Sequence, residues 1–171
     1  MRVFATRSGA ALAALTVFAV VATGPALAQK AAPQPLESKI EQRKVVRAAD
    51  GAETLLPAEG VQPGDVIEYT ATYRNTGKQA LSKLEATLPI PANTEYLPGS
   101  AKPASPRASA DGRTYGELPL KRTVKRNGVD VEEAVPLREY RFLRWSAGEL
   151  AGEKALTYTA RVRVIDNRIS K

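Results

Sequence analysis

The chain has 171 residues, of which 43% are hydrophobic, with 25 basic and 18 acidic side chains and a net charge of +7. It contains no cysteine and no histidine. This composition excludes disulfide bonds, nucleophilic catalysis that depends on cysteine or histidine, and the usual zinc sites, because each of them needs one of these two side chains. We expect no cofactor, and no catalytic or metal residues.

The first 28 residues have the three-part pattern of a secretory signal peptide. Arg2 and Arg7 make a basic start, an apolar run of about fourteen residues follows, and Ala26 and Ala28 are the small residues of an A-x-A cleavage site. The run is shorter than the roughly 20 residues that span a bilayer, which favours a cleaved leader over a membrane anchor. We therefore expect export to the periplasm or the extracellular space, with no transmembrane segment in the mature chain.

Cleavage after residue 28 of the 171 residues leaves 143, about the size of a single domain. Two basic residues and no acidic residue leave with the leader, so the net charge falls from +7 to +5. Residues 29–38 are rich in proline, alanine and glutamine and lack apolar periodicity, which predicts a flexible linker. Residues 39–171 are the predicted folded domain.

Turn signals separate the first strand-like segments of this domain. Asp50 and Gly51 lie between residues 40–47 and 54–56, which predicts a β-hairpin. Residues 61–65 (VQPGD) predict a second turn, because proline fixes φ and glycine accepts a positive φ.

The clearest strand is Val66–Asn75, and residues 155–165 repeat its pattern. In both segments apolar or aromatic side chains alternate with threonine and charged side chains. A period of two places one set on the core and the other in water, which is typical of an antiparallel sheet with one solvated face. The predicted core-facing residues are Ile67, Tyr69, Ala71, Tyr73, Leu156, Tyr158, Ala160, Val162 and Val164.

Shorter strands are predicted between these two, at residues 84–88, 94–97, 113–118 and 140–145. Asn127 and Gly128 predict an inserted hairpin before the last of them. Residues 98–107 are rich in proline and predict a long loop with a mobile tip. About seven short strands without helical periodicity indicate an all-β, antiparallel sandwich.

Several short motifs follow one another in a recognisable order. They are VQPGD at 61–65, IEYTATY at 67–73, NTG at 75–77, LPIP at 88–91, YLPGS at 96–100, Trp145, GEL at 148–150 and GE at 152–153. In this order residues 61–164 resemble the bacterial conserved repeat domain, domain-of-unknown-function family eleven. The resemblance implies an immunoglobulin-like sandwich in exported or envelope-attached proteins, without known catalysis.

Six residues within these motifs are interpreted as core or turn markers: Tyr69, Tyr73, Asn75, Gly77, Trp145 and Gly152. Asn75 and Gly77 tolerate left-handed backbone and fit a turn at the end of their strand. Gly152 frees the backbone before the last strand. Trp145 is interpreted as a core residue rather than a stacking platform for a ligand.

Three functions stay open at this point. The first is a non-catalytic structural or protein-interaction module of the bacterial cell envelope, with another envelope protein or a surface polymer as partner. The second is a binding module for anionic envelope polymers, such as lipopolysaccharide or acidic glycans. Its candidate contacts are Lys121, Arg122, Lys125 and Arg126 in the inserted hairpin, with Arg161 and Arg163 on the last strand. The alternative for these cations is that they are solvated and protect strand edges.

The third function is an enzyme or metal site built on carboxylates. The candidates are Asp65, Asp111, Asp130, Glu132 and Glu133. Asp111 precedes a glycine, as turn-forming aspartates do, and the spacing of a calcium-binding EF-hand loop is missing. Nucleic acid is not expected as a partner, because export removes it and no basic strand motif rich in aromatic residues is present.

Overall fold

The computed structural model describes residues 35–166, and the structural statements below concern these residues. The predicted signal peptide and the linker up to residue 34 lie outside them. Ten strands and one 3-10 turn occur: β1 Leu36–Arg47, β2 Glu53–Pro57, β3 Val66–Asn75, β4 Leu81–Pro89, β5 Thr94–Tyr96, β6 Arg107–Ser109, β7 Lys121–Arg126, β8 Val129–Ala134, the 3-10 turn Leu137–Glu139, β9 Phe142–Leu150 and β10 Ala155–Val164.

The strands form two packed sheets and a separate hairpin. One sheet has five strands in the order β2-β1-β3-β10-β5, the other has three in the order β4-β9-β6, and β7 pairs only with β8. Every pairing is antiparallel. The described residues therefore form an all-β, immunoglobulin-like sandwich, which confirms the predicted fold class.

The core lies between β3 and β10 on one side and β4 and β9 on the other. Alternation along β3 buries Ile67 and Ala71, as predicted from the sequence, and Trp145 of β9 is 6% exposed. The Trp145 ring packs 5.0 Å from the ring of Tyr158, centroid to centroid. Since no disulfide is available, this close packing between the sheets is the main source of stability.

Tyr73 joins the two sheets through its hydroxyl group. The hydroxyl donates to the carbonyl of Thr87 at 2.6 Å and accepts the Thr87 amide at 2.9 Å. Thr87 belongs to β4, an edge strand whose other side pairs with β9. One side chain thus satisfies both polar backbone groups of Thr87 on the free edge of this strand.

Asn75 and Gly77 do not have the left-handed backbone that their sequence suggested, since neither is among the residues with positive φ. The Asn75 side chain is fully buried. Its Nδ2 donates to the carbonyls of Gln79 and Leu150, and its Oδ1 accepts a hydrogen bond from the backbone amide of Gly77. Gly152 is required by a close approach, because a Cβ there would lie 2.2 Å from the Lys78 carbonyl oxygen. Both places are turns, as expected, but side-chain hydrogen bonds of Asn75 and a close approach at Gly152 hold them rather than left-handed backbone at these residues.

The predicted linker is too long at its C-terminal end. Residues 36–38 belong to β1, where Leu36 lies opposite Asn75. The Thr76 amide also donates to the Pro35 carbonyl at 2.7 Å. The sequence concealed this pairing because most of the strand is exposed, so that backbone hydrogen bonds hold it without an apolar pattern.

Residues 113–118 do not form the predicted strand and make only one isolated bridge, between Gly116 and Ala108. The Asp111 carboxylate accepts the amides of Arg113 and Thr114 and bends the chain there. β6 lies earlier, at Arg107–Ser109, and β9 extends the predicted strand at 140–145 to Leu150.

The loop at 98–107 does not project as a free tip. Lys102 and Thr159 exchange two backbone hydrogen bonds of 2.8 Å, and the Trp145 indole donates to the Pro103 carbonyl at 2.8 Å. Pro106 is fully buried. The prolines thus fix this segment against β10 and β9.

Candidate functional site

The structure brings the four hairpin cations together on β7 and pairs each of them with a carboxylate. The Asn127-Gly128 turn sets the register, which places β8 acids beside β7 bases. The ion pairs are Lys121 with Glu132 at 2.7 Å, Arg122 with Glu133 at 2.9 Å and with Glu139 at 2.6 Å, Lys125 with Asp130 at 3.2 Å, and Arg126 with Glu133 at 2.9 Å.

These pairs change the electrostatic character of the hairpin. The two arginines that flank Glu133 lower the pKa of its carboxyl group, first Arg122 and then Arg126. Hydrogen bonds to Glu133 and Glu139 raise the pKa of Arg122 in turn. Four cations therefore face four carboxylates, and the hairpin presents a nearly neutral surface rather than a basic patch.

Arg161 lies on the outer face of β10 and is also paired. Its guanidinium contacts Glu68 and Glu53, each at 2.8 Å. Glu53 accepts Arg47 as well, and the hydrogen bonds from Arg47 and Arg161 lower its pKa. Arg163 is exposed on the same strand, away from the β7–β8 hairpin in the sheet order. The two candidate groups of cations thus belong to different sheets.

The candidate carboxylates are dispersed over the fold. Asp65 accepts the Gln62 amide and pairs with Lys44, and these contacts lower its pKa. Asp111 closes the turn described above, and the other three pair with the hairpin cations. Within residues 35–166 no group of three or more potential ligands is close enough to hold a metal ion. In the same range no helix has the length and apolar character needed to cross a bilayer.

Exposed large apolar side chains concentrate on two parts of the described structure. One group belongs to the β1–β2 hairpin and the segment after it, and the other belongs to β8. Val129 next to the hairpin turn is 64% exposed and Leu55 on the edge strand β2 is 45% exposed. The full set is Ile40, Val46, Leu55, Leu56, Val61, Val129 and Val131.

A groove of about 510 Å³ lies beside β9. β6 pairs with β9 only from Phe142 to Arg144, so the later part of β9 has no neighbour on this side. The chain before β6 cannot continue the ladder, because Pro106 lacks an amide hydrogen and Ser105 has a positive φ of 58°. This local chemistry leaves one edge of β9 open from Trp145 to Ala147, before the positive φ of Gly148 interrupts the strand.

The lining of the groove combines aromatic and charged side chains. Trp145 and Ala147 of β9 and Leu156 and Tyr158 of β10 supply apolar surface. The opposite wall is formed by the loop at 103–105. The remaining lining residues are Arg107, Glu117, Arg144, Ser146 and Glu149.

Arg107 and Arg144 lie directly opposite each other on β6 and β9. The Arg144 guanidinium stacks on the Tyr115 ring, with Cζ 3.6 Å from the ring centroid, and one of its terminal nitrogens contacts Glu85 at 3.0 Å. Its Nε is buried and has no hydrogen-bond partner among the described residues. Arg107 donates to the Tyr115 carbonyl and approaches Glu117 only to 3.8 Å. Arg107, whose side chain is 57% exposed, therefore keeps hydrogen-bonding capacity for an acceptor.

Sequence reasoning missed this groove. It placed Trp145 in the core, which the burial of the ring supports, and it treated residues 98–107 as a long loop. The available signal was the spacing of Pro103 and Pro106 before a very short strand, since prolines interrupt a ladder.

Comparisons with protein-family models, with curated proteins and with solved structures find no family, protein or structure that matches this chain.

Proposed function

We propose that this chain is a non-catalytic protein-interaction module of the bacterial cell envelope, exported through its N-terminal signal peptide. The observation that carries the proposal is the set of exposed valine and leucine side chains on the two hairpins. Val129 and Val131 share one face of β8, and Val46 and Leu56 share one face of the β1–β2 hairpin. Exposed apolar side chains that share a face are a common feature of protein-binding surfaces, whereas isolated ones are ordinary. The resemblance of residues 61–164 to the conserved repeat domain supports the same proposal.

The charge arrangement favours a protein over an anionic polymer as partner. A polymer of lipopolysaccharide or acidic glycan type would have to compete with the carboxylates that lie within 3.2 Å of each of the four hairpin cations, and the attraction of these cations for it is reduced accordingly. Val129 and Val131 lie beside these pairs on β8. A neutral, partly apolar surface of this kind suits a protein surface better than a polyanion.

In-envelope photo-crosslinking tests the proposal. A photoreactive amino acid at Val129, and separately at Leu55, should yield a discrete protein adduct when the tagged chain is expressed in its own envelope. The same residue at Thr157, an exposed polar position on β10, is the matched control and should yield none. The yield of adduct should be unchanged when irradiation is carried out at 0.5 M salt, because apolar contacts are not screened.

The contrary result would be an adduct with polysaccharide or lipopolysaccharide whose yield falls when irradiation is carried out at 0.5 M salt. Reversal of Lys121, Arg122, Lys125 and Arg126 to glutamate would then abolish the adduct while the melting temperature stays unchanged, and the anionic-polymer function would replace this one.

Export has its own test. Intact-mass analysis of the exported protein should show a chain that starts at Gln29, and a membrane-bound species that still begins at Met1 would contradict it.

A further inference from the structure

We propose that the groove beside β9 binds an extended peptide segment of a partner protein, which adds to the open edge of β9 as a strand and places an acidic side chain against Arg107 and Arg144. The inference rests on the proposed function, since it names where a protein partner docks and in which form.

The first support is that the groove runs along a strand edge. Arg144, Trp145 and Ser146, which precede the bulge at Ala147, all line it, although consecutive residues of a regular strand point to opposite faces of the sheet. Only a cavity at the edge can contact both sets. At such an edge, backbone amides and carbonyls face the cavity, and an added strand satisfies them by forming a ladder.

The second support is the apolar inner side of the groove. Ala147 and Trp145 of β9 face Leu156 and Tyr158 of β10, and the half-buried Ala147 leaves space because its side chain is small. A peptide strand paired with β9 would direct every second side chain into this space. The chemistry predicts valine, isoleucine or leucine at those positions, since each would bury apolar surface between the two sheets.

The third support is charge complementarity at the end of the groove next to β6. Arg107 and Arg144 are cross-strand partners, so their guanidinium groups belong to one face of the sheet. The Arg107 side chain is 57% exposed and approaches the Glu117 carboxylate only to 3.8 Å, and this carboxylate is itself 83% exposed, so that a peptide carboxylate can displace it from Arg107. Aspartate or glutamate on the outward-facing side of the peptide would complete this pair with charge-assisted hydrogen bonds.

A displayed library of random eight-residue peptides, selected on the folded chain, tests the proposal. Selected peptides should alternate apolar and polar residues and carry an acid near one end. Trp145 is the sole tryptophan and lines the groove, so its fluorescence reports binding of each synthetic peptide directly. Replacement of the acid by lysine should weaken binding about tenfold or more.

Three variants locate the site. Ala147→Arg fills the groove and should abolish peptide binding, and Arg107→Glu should weaken it about tenfold while it restores the lysine-substituted peptide. Lys39→Glu is the matched charge control on β1, where the side chain is 72% exposed, and should bind like the wild type. Ala147 packs against the core, so Ala147→Arg can prevent folding. Arg107→Glu changes an exposed side chain and tests the proposal even if Ala147→Arg does not fold.

The proposal is overturned if no peptide is selected, or if the selected peptides bind wild type and Arg107→Glu equally. A concentration-dependent dimer that Ala147→Arg disrupts would also overturn it, because a second copy would then be the occupant. In-envelope crosslinking separates the two proposals. If protein adducts at Val129 or Leu55 persist in a folded variant that binds no peptide, the interaction module stands and the peptide groove fails.

Discussion

Replacement of Tyr73 by phenylalanine tests how the two sheets are held together. The substitution removes one oxygen atom and leaves the ring, which packs edge-on against Tyr158 with centroids 6.1 Å apart. That oxygen makes two hydrogen bonds with the backbone of Thr87, of 2.6 and 2.9 Å. The variant therefore isolates the connection between β3 and the free edge of β4.

The expected loss follows from these two contacts. A hydrogen bond contributes a net 0.5–1.5 kcal/mol on average, so two contribute about 1–3 kcal/mol, and the half-buried Thr87 groups are left without a partner. For a domain of this size the melting temperature should fall on the order of 3–10 °C. Urea unfolding gives the free energy, and amide hydrogen exchange should show faster exchange at Thr87 than at its neighbours in β4.

Tyr69→Phe is the matched control. Tyr69 lies two pairs along the same face of β3, and no described residue forms a hydrogen bond with its hydroxyl, while burial raises its pKa. Its stability should change by less than about 0.5 kcal/mol. Equal effects of the two variants, or unchanged exchange at Thr87 in Tyr73→Phe, would refute the role assigned to the Tyr73 hydroxyl.

Three further predictions follow from packing, backbone geometry and charge. Trp145→Ala should cost about 3–5 kcal/mol, and wild-type emission should be blue-shifted, whereas a solvated emission maximum would contradict the burial. Gly152→Ala should lower the free energy of unfolding by more than about 2 kcal/mol, because the new Cβ would meet the Lys78 carbonyl oxygen. Gly128→Ala is the control: it lies in open space at φ 81° and should lower the free energy of unfolding by only about 1 kcal/mol, as measured by thermal unfolding. The amides of Thr114 and Arg113 hold the pKa of Asp111 below its ordinary 3.8. The Asp111 carboxylate therefore contributes to the free energy of unfolding above pH 3.8, and this contribution is lost as the pH falls through the lower pKa of the folded state. The stability difference between wild type and Asp111→Asn should therefore narrow below about pH 3.8, and a constant difference from pH 7 to pH 2 would contradict this.

Strands that bury one face were predictable from the sequence, and strands held mainly by backbone pairing were not. β3 was predicted with its observed bounds because Ile67 and Ala71 alternate with solvated residues. The first residues of β1 carry no such alternation, since nearly the whole strand is exposed. The strand predicted at 113–118 was wrong because the side-chain hydrogen bonds of Asp111 decide the local path more strongly than the apolar residues do.

The β7–β8 hairpin surface was also predictable only in part. Four cations in one hairpin could be read from the sequence, but the contact of Arg122 with Glu139 and the sharing of Glu133 by two arginines could not, because they depend on the folded arrangement. A count of basic residues therefore overestimates the attraction of this hairpin for a polyanion. Basic residues in a segment indicate a binding site for anions only when carboxylates on the neighbouring strand do not neutralise their charge.

The open edge of β9 depends on where a neighbouring strand stops, and this is a property of two segments at once. Pro106 and the positive φ of Ser105 end β6 at Arg107, while β9 continues to Leu150 on the other side of the groove. Each segment alone reads as an ordinary loop or an ordinary strand. Most sheet edges in proteins are short, charged or covered, so a strand edge that has no partner beside an apolar cavity is a candidate site for an added strand. The peptide selection on Arg107→Glu therefore tests whether this mismatch in strand length is a binding feature or only a surface irregularity.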